Sequence, residues 1–255
     1  MRRRRLALLG LFAAVVLAGC SMGPSEVPTE ELTGEASYDW DVDARTEYNL
    51  TRNHYTAVLT VENATSLAVY SQSAIGGRGA LQLRALQYRF PNGTVVTANH
   101  SRLSVTRESD RSNISLPGAT GTVAYTGTRK GKEFSTPVFV QGSHAVTLPA
   151  GRRVGIPFLS SVSPGNASTS LADGRMTVRW GNLTTGQRVN VRWYLERDLL
   201  LFSLILIVSL SAGVGGTFYY LRQIRRLRRR REDIGPDVDL EDDDLGDDGP
   251  PPGMR

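Results

Sequence analysis

Leu199 to Leu221 reads LLLFSLILIVSLSAGVGGTFYYL, a run of 23 residues without a charge between Asp198 and Arg222. At ~1.5 Å of rise per residue a helix of that length reaches about 35 Å, enough to cross a hydrocarbon layer of roughly 30 Å with modest tilt. The run predicts a transmembrane helix over 199–221, with the rest of the chain divided between two sides of a membrane. Small residues recur four apart in it, Ser209 with Gly213, Ser211 with Gly215 and Ala212 with Gly216. That spacing lets helices approach closely and admits a homo-oligomer through this segment.

The flanks orient it. Arg222, Arg225, Arg226, Arg228, Arg229, Arg230 and Arg231 follow the run directly, against Arg197 alone just before it. The positive-inside rule places the C-terminus in the cytoplasm. Beside a membrane these arginines suit anionic lipid headgroups, each contributing about 1 kcal/mol near a charged leaflet. Residues 232–249 then hold ten Asp or Glu and no base, so the cytoplasmic part 222–255 is basic first and acidic after. The acidic, Pro/Gly-rich end is too poor in apolar groups to fold alone.

The N-terminus agrees on the sides. Arg2 to Arg5 precede an apolar run Leu6 to Ala18, too short to span, and then Leu17-Ala18-Gly19-Cys20. Residues 1–19 have the parts of a signal peptide. The last four match a lipobox, in which a hydrophobic and two small residues let a peptidase reach the bond before a cysteine that is then lipidated. Cys20 is the chain's single cysteine. Ordinary cleavage or an uncleaved signal anchor are the alternatives. Residues 20–37 are rich in Pro, Gly, Ser and Glu and predict a flexible tether, with an r.m.s. reach of roughly 20 to 25 Å.

Between tether and span, residues 38–198 change character. Short runs of β-branched and aromatic residues alternate with turn signals such as Pro91-Asn92-Gly93 and Ala172-Asp173-Gly174, and no 3.6-residue period is sustained. Ten strands are expected: Tyr55 to Val61, Ser66 to Ser71, Gln82 to Arg89, Thr94 to Ala98, Leu103 to Arg107, Gly121 to Tyr125, Glu133 to Phe139, His144 to Leu148, Met176 to Trp180 and Gln187 to Leu195. Such a set predicts an all-β ectodomain, a β-sandwich that is either one body or two small units meeting near Pro149 to Gly165. The last strand runs almost directly into the span, so Trp193 and Tyr194 are candidates either for an interfacial aromatic belt with Phe218, Tyr219 and Tyr220, or for the core.

Seven of the nine asparagines begin Asn-x-Ser/Thr: Asn49, Asn63, Asn92, Asn99, Asn113, Asn166 and Asn182. All lie on the expected outer side, an excess that points to a glycoprotein.

Chemistry is harder to find. The formal net charge of +5 sums opposed blocks, and Ser21 to Asp198 alone holds 18 basic and 15 acidic residues. Nucleic-acid binding is set aside on that ground. His54, His100 and His144 are scattered, with no His-x-x-x-His or Cys-x-x-Cys spacing for zinc. Asp39, Asp41 and Asp43 start like a calcium loop, but Ala44 and Leu50 stand where a Gly and a bidentate Glu are needed. Gly76-Gly77-Arg78-Gly79 lacks the framework of a phosphate loop. No cofactor, metal or catalytic group is assigned.

The lipobox, the phrase Arg153-Val154-Gly155-Ile156-Pro157-Phe158, the run Leu195-Glu196-Arg197-Asp198-Leu199 and the ending Gly249-Pro250-Pro251-Pro252-Gly253-Met254-Arg255 resemble an uncharacterised haloarchaeal family of single-pass membrane proteins, a domain of unknown function. The resemblance implies membrane association and a halophilic archaeal source, and it brings no activity and no site residue. The expectation is a membrane-anchored cell-surface protein, a non-catalytic envelope interaction or assembly module with a protein partner. The alternatives are a sensor relaying an outside contact to the tail, and a solute-binding or hydrolytic lipoprotein.

Overall fold

Short alternating runs become strands here because each has one face to bury. The computed structural model describes residues 24–73 and 76–233, with side chains through Arg229. The signal segment, Cys20 and the acidic tail lie outside the described residues. In chain order the strands are β1 (Ser25–Glu26), β2 (Thr46–Leu50), β3 (His54–Val61), β4 (Ser66–Gln72), β5 (Arg78–Ala80), β6 (Arg84–Arg89), β7 (Val95–Thr97), β8 (Ser104–Arg107) and β9 (Ser112–Ser115). They continue as β10 (Gly121–Thr128), β11 (Glu133–Pro137), β12 (Gly142–Thr147), β13 (Arg152–Arg153), β14 (Ser161–Ser163), β15 (Ser168–Ala172), β16 (Arg175–Leu183), β17 (Arg188–Arg192) and β18 (Tyr194–Leu195). A single helical turn, α1 (Thr29–Leu32), precedes β2, and a long helix, α2 (Glu196–Asp233), follows β18. Each of the ten expected runs carries a strand.

One large sheet runs β15-β16-β12-β2-β3-β10-β6-β7. Facing it are a five-stranded sheet, β1-β8-β9-β4-β5, and a three-stranded one, β11-β17-β14, which approach each other at β4 and β11. Among the described residues β2 and β12 pair in parallel, His144 opposite Thr46, and the other pairings are antiparallel. A two-stranded sheet, β13-β18, is the fourth. One apolar cluster joins the three larger sheets, from Val27 and Leu32 near the start of the domain to Val191 and Trp193 near its end. The domain is therefore one body. Pro149 to Gly165 is no boundary, since β13 and β14, which lie within it, pair with β18 and β17.

Aromatic rings fill the middle of that cluster. Tyr48, Tyr55 and Phe134 meet at centroid distances of 5.1 to 6.1 Å, and Tyr55 lies 6.4 Å from Tyr125. Gly127 stands opposite Tyr55 in the β3–β10 pair, and any side chain there would collide with the Tyr55 ring. The ring lies flat over the glycine, a device that pins strand register. Trp180, 1% exposed, donates its indole N–H to the Pro164 carbonyl at 2.8 Å. Trp193 is also core, 2% exposed, with the Arg129 guanidinium 4.7 Å from its ring. That resolves its reading away from the interfacial belt.

The segment expected to be a tether is structured from residue 24 onward. Ser25 and Glu26 pair with Arg107 and Thr106, Val27 N–H donates to the Val105 carbonyl at 2.8 Å, and Val27 and Leu32 are buried. Two apolar side chains spaced across one helical turn suffice to dock it, a signal too sparse to stand out in a polar stretch. The next stretch, Ala36 to Val42, crosses the outer face of the large sheet as a strap. Tyr38, Trp40 and Val42 pack on Val58, Ala85 and Ala124, while Asp39, Asp41 and Asp43 point to solvent. The Tyr38 hydroxyl donates to the Ala85 carbonyl at 2.7 Å and lies 3.0 Å from Thr126 Oγ1. Burial pushes its ionisation up to about 12.

The compact β unit ends at Leu199, and the chain from Leu200 onward forms a second unit. Helix α2 is 38 residues long, about 57 Å, so the arginine-rich segment through Asp233 continues the helix.

Candidate functional site

Among the described residues, three places combine exposure with chemistry. The first is a cleft of about 950 Å³ at one end of the sandwich. Its walls come from the β3–β4 turn, the β11–β12 connection and the β16–β17 turn. β17 and β18 run from that end to Leu195, roughly 25 Å of strand, so the cleft lies at the opposite end of the domain from the start of α2. The Arg45 guanidinium meets Glu62 at 2.8 Å. Its Nε is buried and has no partner, and its stem lies against Gly142, where any side chain would strike it. Across the opening, the Arg78 guanidinium sits 4.6 Å over the Tyr70 ring, which meets Phe139 edge-on at 5.6 Å. The arrangement offers an aromatic shelf beneath a guanidinium without an ion-pair partner, while the Arg45 Nε is closed off from the cleft. Such a surface holds a planar or apolar body carrying an acidic group.

Sequence spacing gave no sign of this cleft because its polar groups come from separate segments of the chain. Gly76-Gly77-Arg78-Gly79, read as a glycine turn, leads into β5 and presents Arg78 to the cleft.

The second place is the loop from Gly155 to Ser160. Phe158 is 96% exposed and Leu159 43%. Phe158 also has φ of +69°, a left-handed conformation that costs a non-glycine residue of order 1 to 3 kcal/mol. The loop is stitched from within. Gly155 N–H donates to Ser160 Oγ at 2.9 Å, Ser160 Oγ–H donates to the Ile156 carbonyl at 2.9 Å, and Ser160 N–H donates to the same carbonyl at 3.0 Å. Sequence reasoning missed this loop; the apolar run Ile156-Pro157-Phe158-Leu159 between Gly155 and Ser160 is the signal that could have found it.

The third is helix α2. It is long and apolar enough to cross a membrane, and its apolar side chains are exposed around the whole circumference. Ser211 Oγ–H and Thr217 Oγ1–H donate to the Ile207 and Gly213 carbonyls at 2.8 and 2.9 Å, which satisfies both hydroxyls inside the helix. Ser209, Gly213 and Thr217 leave a shallow groove between Leu210, Val214 and Phe218. At 100° per residue, Arg222, Arg225, Arg226 and Arg229 fall on one face, with Ile224 and Leu227 opposite. Arg228 lies between these faces. The side chains of Arg230 and Arg231 lie outside the described residues.

The sequons separate by environment. Asn63, Asn92, Asn99, Asn166 and Asn182 are exposed. Asn49 is half-buried in the central strand β2, its Oδ1 accepting a 2.6 Å bond from Arg175, and Asn113 is half-buried in β9. Asn182 lines the cleft and Asn63 stands on its rim, between Glu62 and Ala64. A glycan on Asn182 would compete with any ligand there. His54 is exposed, His100 accepts from Arg102 N–H at 3.3 Å, and His144 is buried. Among the described residues no three His, Cys, Asp or Glu side chains gather as a metal-binding group.

Residues 42–239 match the model of a family of unknown function. The chain belongs to that family, DUF5803. The DUF5803 match begins in the strap and runs through every strand from β2 to β18 and past α2, so the cleft, the Phe158 loop and the apolar helix all fall inside it. Cys20 and β1 lie before it. No curated protein matches the chain.

Proposed function

We propose that the chain is an exported, membrane-anchored cell-surface protein whose β-domain is a non-catalytic interaction module of the envelope. One observation carries the reading: the last strand leads directly into a helix with apolar side chains exposed on all sides, a surface that water does not tolerate and a bilayer does. The arginines after the helix and the lone Arg197 before it support a cytoplasmic C-terminus. On this reading Cys20 is lipidated after cleavage at the lipobox, the exposed sequons carry glycans, and the Ser209–Gly213–Thr217 groove is where two copies pair. The arginine face binds anionic headgroups. The likeness of its motifs to haloarchaeal proteins supports a halophilic source.

A second reading concerns what the domain engages. The Arg78 guanidinium over the Tyr70 ring favours a solute with an acidic group over a large flat protein surface.

Membrane sidedness is tested with single cysteines in a Cys20→Ser background, at Ser168 in β15 and at Arg229 in α2, and a membrane-impermeant maleimide. Labelling of position 168 in intact cells, and of position 229 only after lysis, is the expected result. Equal labelling of both before lysis, or the reverse pattern, rejects it.

A further inference from the structure

Phe158 is the most exposed apolar side chain of the β-domain among the described residues, and strand register shows where it is rooted. Arg152 and Arg153 pair with Leu195 and Tyr194, and Ser161 to Ser163 pair with Arg192 to Asn190. Residues 154–160 are thus an excursion inserted beside Trp193, between two strands that flank the end of the domain. Gly151, just before β13, accepts a 3.2 Å bond from Glu196 N–H, the first residue of α2.

We propose that this loop is a lipid-contact element, with Phe158 and Leu159 seated at the headgroup level of the membrane that α2 crosses. The proposal rests on the reading of α2 as a span.

Chain lengths set an upper limit on the gap. From the level of Trp193 to Leu195 is about 7 Å of strand, and from there to Leu199 about 6 Å of helix. The polar layer outside the hydrocarbon takes up roughly 5 to 7 Å of this on each side. At most ~8 Å of chain then separates the level of Trp193 from the lipid headgroups. A seven-residue excursion reaches about half its contour, roughly 11 Å. The loop is long enough.

Its construction suits the task. The Ser160 bonds hold the turn without help from its tip, and Phe158, at a positive φ, keeps its ring 96% exposed. A ring kept exposed at the expense of backbone strain points to a contact made outside the chain. Around the root, the segments 130–133, 152–153 and 192–198 contain six Lys or Arg and three Asp or Glu, an excess that complements anionic headgroups. Leu171, 57% exposed in β15, has exposure but none of these features.

The test uses the full chain in lipid nanodiscs of phosphatidylcholine and phosphatidylglycerol. Because Cys20 is the only cysteine, a Cys20→Ser background accepts single cysteines at Phe158, Leu171 and Leu206, each labelled with an environment-sensitive nitrobenzoxadiazole dye. Phe158→Cys removes a side chain with no core contact, so folding is not at stake. Lipids carrying a nitroxide high on the acyl chain should quench the dye at 158 by at least half as much as at 206, and leave 171 unaffected. Quenching at 158 equal to that at 171 overturns the proposal. A blue-shifted but unquenched dye at 158 also overturns it, in favour of a protein partner or a second copy. Absence of quenching at 206 rejects the span itself, and the lipid contact with it.

Discussion

Leu59 and Leu206 are the same side chain in opposite circumstances. In β3 Leu59 is 0% exposed, while in α2 Leu206 is 49% exposed with similar neighbours all round. The β-domain supplies its own apolar environment through three sheets packed on one cluster. The helix supplies none, and its own backbone bonds are all internal, as a segment long and apolar enough to cross a membrane requires. Truncation separates the two. Leu59→Ala should lower the unfolding free energy of the domain by about 3 kcal/mol, through lost transfer energy and the cavity left behind. Leu206→Ala should change it by less than about 0.5 kcal/mol. Urea denaturation in nanodiscs, followed by the intrinsic fluorescence of Trp40, Trp180 and Trp193, all in the β-domain, measures both. Equal losses would mean that the helix is part of the domain's fold.

A smaller contrast lies within the large sheet. Its inner face is buried by other sheets, and its outer face at Val58, Ala85 and Ala124 by seven residues of strap, of which Tyr38 is the anchor. Tyr38→Phe keeps the ring and removes the hydroxyl that bonds the Ala85 carbonyl and meets Thr126. The expected cost is about 1.5 kcal/mol, since a largely buried carbonyl is left without its donor. Faster amide exchange confined to β6 and β10 would show that the strap has loosened while the inner core stands. A cost below about 0.3 kcal/mol would mean that apolar packing alone holds the strap.

The same contrast explains what was legible in the sequence. Strands with strict alternation and clear turns, such as β3, β10 and β16, were visible as strands because a half-buried sheet imposes a period of two. The apolar helix was visible because 23 uncharged residues in a row are as long as a bilayer-crossing helix needs to be. β2 was hidden, since TEYNL follows an acidic stretch and its partners β3 and β12 are respectively adjacent to it and almost a hundred residues away. The docked start of the domain was hidden because two side chains, Val27 and Leu32, do the docking. Proximity in space rather than in sequence made the cleft: Arg45, Arg78, Phe139 and Asn182 come from four distant segments, and no local pattern encodes their meeting. The sequons were legible as a pattern, but not that Asn49 and Asn113 sit in interior strands.

The finest distinction between the two regions is their response to acid, because a histidine is buried in the β-domain and none occurs in α2. His144 lies in β12, 1% exposed, with Nδ1 2.9 Å from the Gly142 carbonyl. A carbonyl only accepts, so Nδ1 carries the proton and donates it, and the buried Nε2 is left as an acceptor without a partner. Protonation would place a second, unsatisfied N–H and a charge in the core. Burial accordingly lowers the ionisation of His144 below its ordinary value of 6.5, against a weaker opposing effect of the Gly142 bond. With the folded value depressed, the unfolded chain binds the extra proton first. Stability is then fully present above about pH 6.5 and declines as the pH falls toward the depressed value, by at most ~1.4 kcal/mol per unit. Glu47, whose ionisation is raised by burial despite Arg179, contributes with the opposite sign, losing stability as the pH rises from about 4.5 toward its raised value. His144→Gln removes only the first effect. Between pH 7 and 5 the melting temperature of the variant should fall less steeply than that of the parent, the contribution of Glu47 being common to both. Parallel curves would show that His144 binds its proton equally well in the folded and the unfolded chain, and a steeper fall in the variant would show that it is charged in the fold.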